Sequence, residues 1–284
     1  MARIPNIVHF VFGLREQLSA FHPIHFLAIE SCRQILKPDE IFLHYDHLPF
    51  GVYWDAIRPH LTLCRVGQVE AVEMAEYDDQ LVPLQYRYAH HADFVRLDAL
   101  IEHGGIYADV DTLFLKPIAS PLFEKQFVIG REDDAPDERT DMRRPSLCNA
   151  FLMAEPDAQF ARVWRERMSP ALNGTWNNHS CLLPQELSGE MPDTVHIEPV
   201  SSFYKIPCTA AGIRSLLEKG DPDLSDAYSI HLWEHVWWKE DRPDFTQRHA
   251  GEFTADYIAT ADVPYCRLAR QFLPRRPSRS DRLP

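Results

Sequence analysis

Three stretches of the 284-residue chain hold side chains whose types and spacing could do chemistry. Asp109 and Asp111 stand one residue apart in "GGIYADVDT", Asp93 and Arg96 three apart in "HADFVRL", and His231 and His235 four apart in "HLWEH". Neighbouring carboxylates raise each other's pKa and resist joint ionisation unless a proton or a cation lies between them, so something must neutralise the first pair. Asp93 and Arg96 would share one helical face, and spacing alone makes them an ordinary surface ion pair. The two histidines have the spacing of zinc ligands on a helix but lack the glutamate of HExxH, which argues against zinc. His9, His90 and His91 show no metal-ligand spacing and read as structural.

An Asp-x-Asp pair means little by itself in so acidic a chain, and "DPD" at Asp221 to Asp223 is a second one. Surroundings separate the two. The later pair lies in a polar stretch of turn-forming residues. The earlier pair follows a helix, a glycine pair and an apolar strand, at a strand's carboxyl end, where α/β proteins collect ligands. Side-chain alternation along one strand "IYADVDTLFLKP" would put Tyr107, Asp109 and Asp111 on a shared face. The preceding helix "QYRYAHHADFVRLDALIEH" is expected to turn Ala92, Val95, Leu100 and Ile101 to a core, with Gly104 as its left-handed cap.

The elements that position these residues alternate. "NIVHFVFG", "EIFLHYD", "LTLCRV", "QFVIG", "CNAFLMA" and "AYSIHLW" read as strands, and "PIHFLAIESCRQILK" and "DAQFARVWRERM" as helices, the first with Pro23 in its opening turn. This order predicts an α/β domain over residues 1–273, a mixed central sheet flanked by helices, followed by an Arg/Pro-rich tail, 274–284, that reads as disordered. With 45% hydrophobic and 25% charged residues the composition is that of an ordinary globular protein. A net charge of −13 argues against a nucleic-acid partner. No apolar run approaches the ~20 residues of a membrane span, and "IPNIVHFVFGL" lacks a charged n-region and a cleavage site, so the expected location is cytoplasmic, with at most weak peripheral membrane contact through the basic tail. Six scattered cysteines without a CxxC predict reduced core thiols.

The run "ADFVRLDALIEHGGIYADVDTLFLKPI" resembles the signature of the DXD sugar transferases of glycosyltransferase family 32. "IPNIVHFVFG", "EIFLHYD", "CNAFLMAEPDAQF", "SSFYKIP" and "HLW" agree with further family segments. The resemblance implies a GT-A-like (Rossmann-like) fold, a nucleotide-sugar donor with UDP favoured, a glycan acceptor, a divalent cation (Mn2+ or Mg2+), and transfer with retention, as in polysaccharide biosynthesis. A hard divalent ion on carboxylate oxygens would also neutralise a departing diphosphate. By the same resemblance Asp109 and Asp111 are the catalytic, metal-holding pair, with Asp109 also touching the donor. His231 is assigned as the third metal ligand, with His235 as the fallback. Asp93, Arg96 and Asn149 fall on the donor, Tyr107 joins them, and Phe12 stands where many members have Trp, as an aromatic face for the base. The stretch "NGTWNNHSCLLPQELSG" departs from the family pattern and leaves the acceptor residues unassigned. Two rivals remain: a haloacid dehalogenase-like phosphohydrolase, using "DVDTLF" as nucleophile loop and "EDD" at Glu132 to Asp134 as metal site, and a non-catalytic nucleotide-sugar-binding protein.

Overall fold

The short apolar runs become strands because each can be covered on both faces. In this computed structural model, which describes residues 3–77, 82, 84–137, 140, 142–239 and 245–274, β1 (Ile7–Val11), β2 (Glu40–Tyr45), β3 (Thr62–Arg65) and β4 (Gly105–Ala108) form the parallel half of a sheet. The chain then leaves that sheet for β5 (Thr112–Phe114), returns as β6 (Phe127–Arg131), makes a side hairpin of β7 (Ala135–Asp137) and β8 (Met142–Arg144), and re-enters as β9 (Leu147–Ala154). Two later strands are β10 (His196–Glu198), on the sheet edge, and β11 (Ser229–His231), which pairs with β5 in a separate antiparallel ladder. The seven-stranded order is β10-β6-β9-β4-β1-β2-β3, with β9 antiparallel to both neighbours. This is the mixed, helix-flanked sheet expected from the sequence.

Alternation along the central strands splits the core in two. Ile106, Ala108, Phe151 and Met153 join the cluster under helix α1 (Pro23–Ile35). Tyr107, Leu152 and Ala154 join the opposite cluster, under α2 (Arg87–His103) and α3 (Gln159–Ala171). With both faces covered, every position of β4 and β9 is buried, which is why these strands read as continuous apolar runs.

Four expectations are corrected. The strand "IYADVDTLFLKP" breaks at Asp109: the Thr112 N–H donates to the Asp109 carbonyl at 3.0 Å, and a turn replaces the pleat. Gly104 does take a positive φ, 66°, but its ψ of −160° lies outside the left-handed helical well. A Cβ on Gly104 would lie 2.7 Å from the Pro156 nitrogen, and one on Gly105 2.7 Å from the Ile7 carbonyl oxygen, so the glycine pair lets α2 run directly into β4 against β1. On α2, Ala92 and Ile101 are only half-buried while Asp93 and Arg96 are 6% and 4% exposed, which overturns the surface-pair reading. The thiols are all free, but Cys208 is exposed and Cys64 half-buried, so only four of the six are core residues.

No helix among the described residues is long and apolar enough to cross a membrane. The tail beyond residue 274 lies outside the described residues.

Candidate active site

Asp109 and Asp111 are brought together by the turn rather than by a strand face. β11 completes the group: its antiparallel register sets His231 opposite Thr112, so the imidazole arrives beside the turn. His231 Nε2 lies 3.0 Å from Asp111 Oδ1 and 3.7 Å from Asp109 Oδ2. On the far side of Asp111, the Glu234 N–H donates to Oδ2 at 3.0 Å. That amide is aimed by Trp233, held at φ 53° and ψ 46°, a left-handed conformation uncommon for a bulky residue and frequent at functional sites. The kink also ends β11 before the short helix Glu234–Trp237, so His231 and His235 do not share a helix as their spacing suggested. His235 stacks instead on Trp176, with ring centroids 5.4 Å apart.

Burial pushes the Asp111 carboxyl up, but His231, their hydrogen bond and the Glu234 amide outweigh it and bring the pKa down to about 2. Burial pushes Asp109 up as well and there prevails, aided by the Asp111 charge, over the opposing pull of Arg96 and His231. For His231, burial disfavours the imidazolium, yet the two aspartates raise its pKa above the ordinary value. In the metal-free chain, the charges that compensate the carboxylate pair are therefore His231 and Arg96. The donor set also fits a divalent ion. Two carboxylates and an imidazole, with ligand atoms all within 4.8 Å, suit manganese, which accepts nitrogen beside oxygen, better than magnesium.

Arg96 ties this group to a second one. Its Nη2 lies 2.9 Å from Asp93 Oδ1, its Nη1 3.3 Å from Asp109 Oδ1, and Nη1 also donates to the Asn149 carbonyl at 2.6 Å. The guanidinium stands over the Tyr107 ring, 4.5 Å from its centroid, and the Tyr107 hydroxyl donates to Asp109 Oδ1 at 2.6 Å. Asn149, on β9, donates from Nδ2 to Asp93 Oδ1 at 2.7 Å. Tyr107 is 1% exposed, so it orients Asp109 from behind. A planar fork serves three partners here, which a point-charge ammonium cannot do. Arg96→Lys is expected to lower the melting temperature by several degrees, a buried ion network being broken. An unchanged melting curve would show that the network does not need the planar fork.

Phe12, Asp93, Arg96, Tyr107, Asp109, Asp111, Asn149 and His231 all line one cavity of about 920 Å³, a volume in the range of small-molecule sites. Phe12 lies on its wall, edge-on to Phe21 at 5.0 Å and tilted against His25 at 4.8 Å. Lys239, half-buried on the same wall, sits with its Nζ 5.1 Å from the Tyr86 ring centroid. His9 is structural as expected, bridging His44 at 3.0 Å and the Gly104 carbonyl at 2.9 Å. The "DPD" is turn chemistry, Asp223 accepting from the Ser225 N–H and hydroxyl. Glu132, Asp133 and Asp134 also line the cavity, but among the described residues they join no cluster of three close ligand atoms. Sequence reasoning missed His179, whose Nε2 meets Asp93 Oδ2 at 2.8 Å, and Tyr204, whose hydroxyl accepts from the Phe151 N–H at 2.9 Å. Tyr204 lies in the family-like segment "SSFYKIP", which marked the turn but not the residue's role, whereas no local pattern marked His179, in the stretch that departs from the family.

A family model described as the glycosyltransferase sugar-binding region containing DXD motif matches residues 28–128. Glucan organizing enzyme 1 of Cryptococcus neoformans var. grubii is 32% identical over 243 residues, 82% of this chain. The chain spans 63% of the length of that curated relative. Among solved structures, the galactosyltransferase LgtC in complex with donor and acceptor sugar analogs aligns with 87% of this chain and 96% of its own, at 16% identity and a TM-score of 0.47. PaToxG glycosyltransferase aligns with 66% of this chain and 70% of its own, at 13% identity and a TM-score of 0.43. Residues 28–128 thus carry the DXD-containing sugar-binding region of a glycosyltransferase, the enzyme class to which this chain is similar in sequence.

Proposed function

We propose that the chain transfers a sugar from a nucleotide sugar, UDP-linked by preference, to a glycan acceptor, with a divalent metal and with retention of anomeric configuration. The observation that carries this reading is the convergence of Asp109, Asp111 and His231 in the wall of a cavity of about 920 Å³ that Asp93, Arg96 and Asn149 also line. The name of the fungal relative, a glucan organizing enzyme, supports a glycan acceptor. Asp109, Asp111 and His231 would hold manganese, which when bound supplies Lewis-acid neutralisation of the leaving diphosphate. The chain's own residues do the rest. Phe12 offers an aromatic face to the base, Tyr107 and Arg96 fix the Asp109 carboxylate, and Asp93 presents acceptor oxygens to sugar hydroxyls.

The test is a donor screen of the purified protein with manganese and a panel of UDP- and GDP-sugars, read as nucleotide release with and without a glucan oligosaccharide. Turnover of one donor that chelation abolishes is expected. Binding without turnover of any donor would favour the non-catalytic reading. His231→Ala is expected to raise the manganese concentration for half-maximal activity about tenfold or more. Because the metal must displace a proton from a His231 whose pKa is raised, parental metal affinity should climb with pH to a plateau above ~6.5. An unshifted manganese titration in His231→Ala would reduce the protein ligands to the two aspartates.

A further inference from the structure

Asp93 is held by three donors, and only one of them lies near it in sequence. Arg96 and Asn149 share its Oδ1, at 2.9 and 2.7 Å. Oδ2 is left to His179, whose Nε2 approaches to 2.8 Å. A single π-helical turn, Asn178–Leu182, delivers this histidine, and the Trp164 indole N–H of α3 pins its carbonyl at 2.9 Å. The ring is fully buried, edge-on to His90 with centroids 4.4 Å apart. His179 Nδ1 is buried with no hydrogen-bond partner, so the useful tautomer keeps the proton on Nε2, donating to Asp93.

We infer that His179 is a positioning residue: its Nε2–H sets the plane of the Asp93 carboxylate, and with it the lone pairs that meet the hydroxyls of the donor sugar. The inference rests on the donor-site reading above. Without the His179 bond, only Oδ1 is restrained, and the carboxylate is free to swing about its terminal torsion. A second metal centre at His90, Asp93 and His179, whose ligand atoms also lie within 4.8 Å, is the competing reading. Electrostatics oppose it, because the Arg96 guanidinium already neutralises Asp93 and a divalent ion would share a buried pocket with that cation. Neither imidazole lines the cavity through which an ion would enter.

The test compares UDP with UDP-glucose, both in manganese, by calorimetric titration of the full chain and two variants. His179→Met keeps volume and loses the donor; His179→Gln keeps an N–H donor. His179→Met is expected to weaken UDP-glucose about tenfold and to leave UDP within about twofold, because the diphosphate is held at Asp109 and Asp111 instead. His179→Gln is expected to stay within about threefold of the parent for both ligands. A structural role would weaken the two ligands equally, and that result overturns the assignment, as does UDP-glucose binding that His179→Met leaves unchanged. Met and Gln variants that lose UDP-glucose alike also overturn it. A parent chain that binds neither ligand counts against the proposed function itself, and the assignment falls with it.

Discussion

Asp111→Asn is expected to abolish turnover, by about 10³-fold or more, and also to loosen the fold. The sequence placed this carboxylate at a strand's carboxyl end, as a ligand site with no stated part in packing. Instead Asp111 is 3% exposed, accepts the Glu234 N–H and pairs with His231. An amide can still accept the backbone hydrogen bond, but it leaves a buried imidazole without its counter-charge, which costs on the order of 2–3 kcal/mol. For a chain of this size that lowers the melting temperature by roughly 5–10 °C. Nucleotide release with manganese and thermal melting without metal measure the two effects separately. Retention of a tenth of parental turnover would remove Asp111 from the metal site, and an unmoved melting temperature would contradict its pairing with His231. Asp109, whose side chain is 27% exposed, should lose activity on substitution by Asn with a smaller change in melting.

Acidification from pH 6.5 to 5 should destabilise the metal-free protein steeply. His9, His44 and His90 are buried neutral, and desolvation takes their pKa down to about 4, about 3 and about 3. In the unfolded chain each titrates near 6.5. Between those values the unfolded state binds more protons than the folded state, so stability rises with pH. The contribution is complete above 6.5 and is lost as pH falls toward the folded values. Each histidine gives about 1.4 kcal/mol per pH unit, so the three together approach 4 kcal/mol per unit, a large share of the 5–15 kcal/mol typical of a domain. His231 has the opposite sign, since its raised pKa matters only above 6.5. Asp109 and Glu132, both raised by burial, soften the fall as the carboxylate range is reached. Denaturant midpoints that stay level between pH 7 and pH 5 would rule this out.

How far the sequence could be read follows from the range of its signals. β1, β2 and α1 were legible because each carries a local period and its own punctuation, Pro23 standing in the first turn of α1. The Asp-x-Asp was legible as a ligand site through its glycine pair and its place after a strand. Its geometry was not, because a period of two cannot announce a turn at Asp109 that only β11, far along the chain, makes useful. Asp93 and Arg96 looked like a surface pair because spacing reports a shared helix face and not what covers it. The cover is β9 and the π-helical turn, which supply Asn149 and His179. Charged residues turned inward also spoil the apolar stripe of α2, which explains why Ala92 and Ile101 were mistaken for core.

During synthesis the Asp-x-Asp turn emerges 120 residues ahead of His231. At about 5–20 residues per second, roughly 6 to 24 s pass in which β5 has no ladder partner and the two aspartates lack their imidazole. An unpaired strand edge in that interval is a template for the wrong neighbour. A nascent chain released before Ser229 would hold the complete DXD region, residues 28–128, and still lack both the β5 ladder partner and the third side chain of the cluster. Completion of the cluster therefore reports that translation has passed residue 231, about a hundred residues beyond the DXD region that supplies the two aspartates.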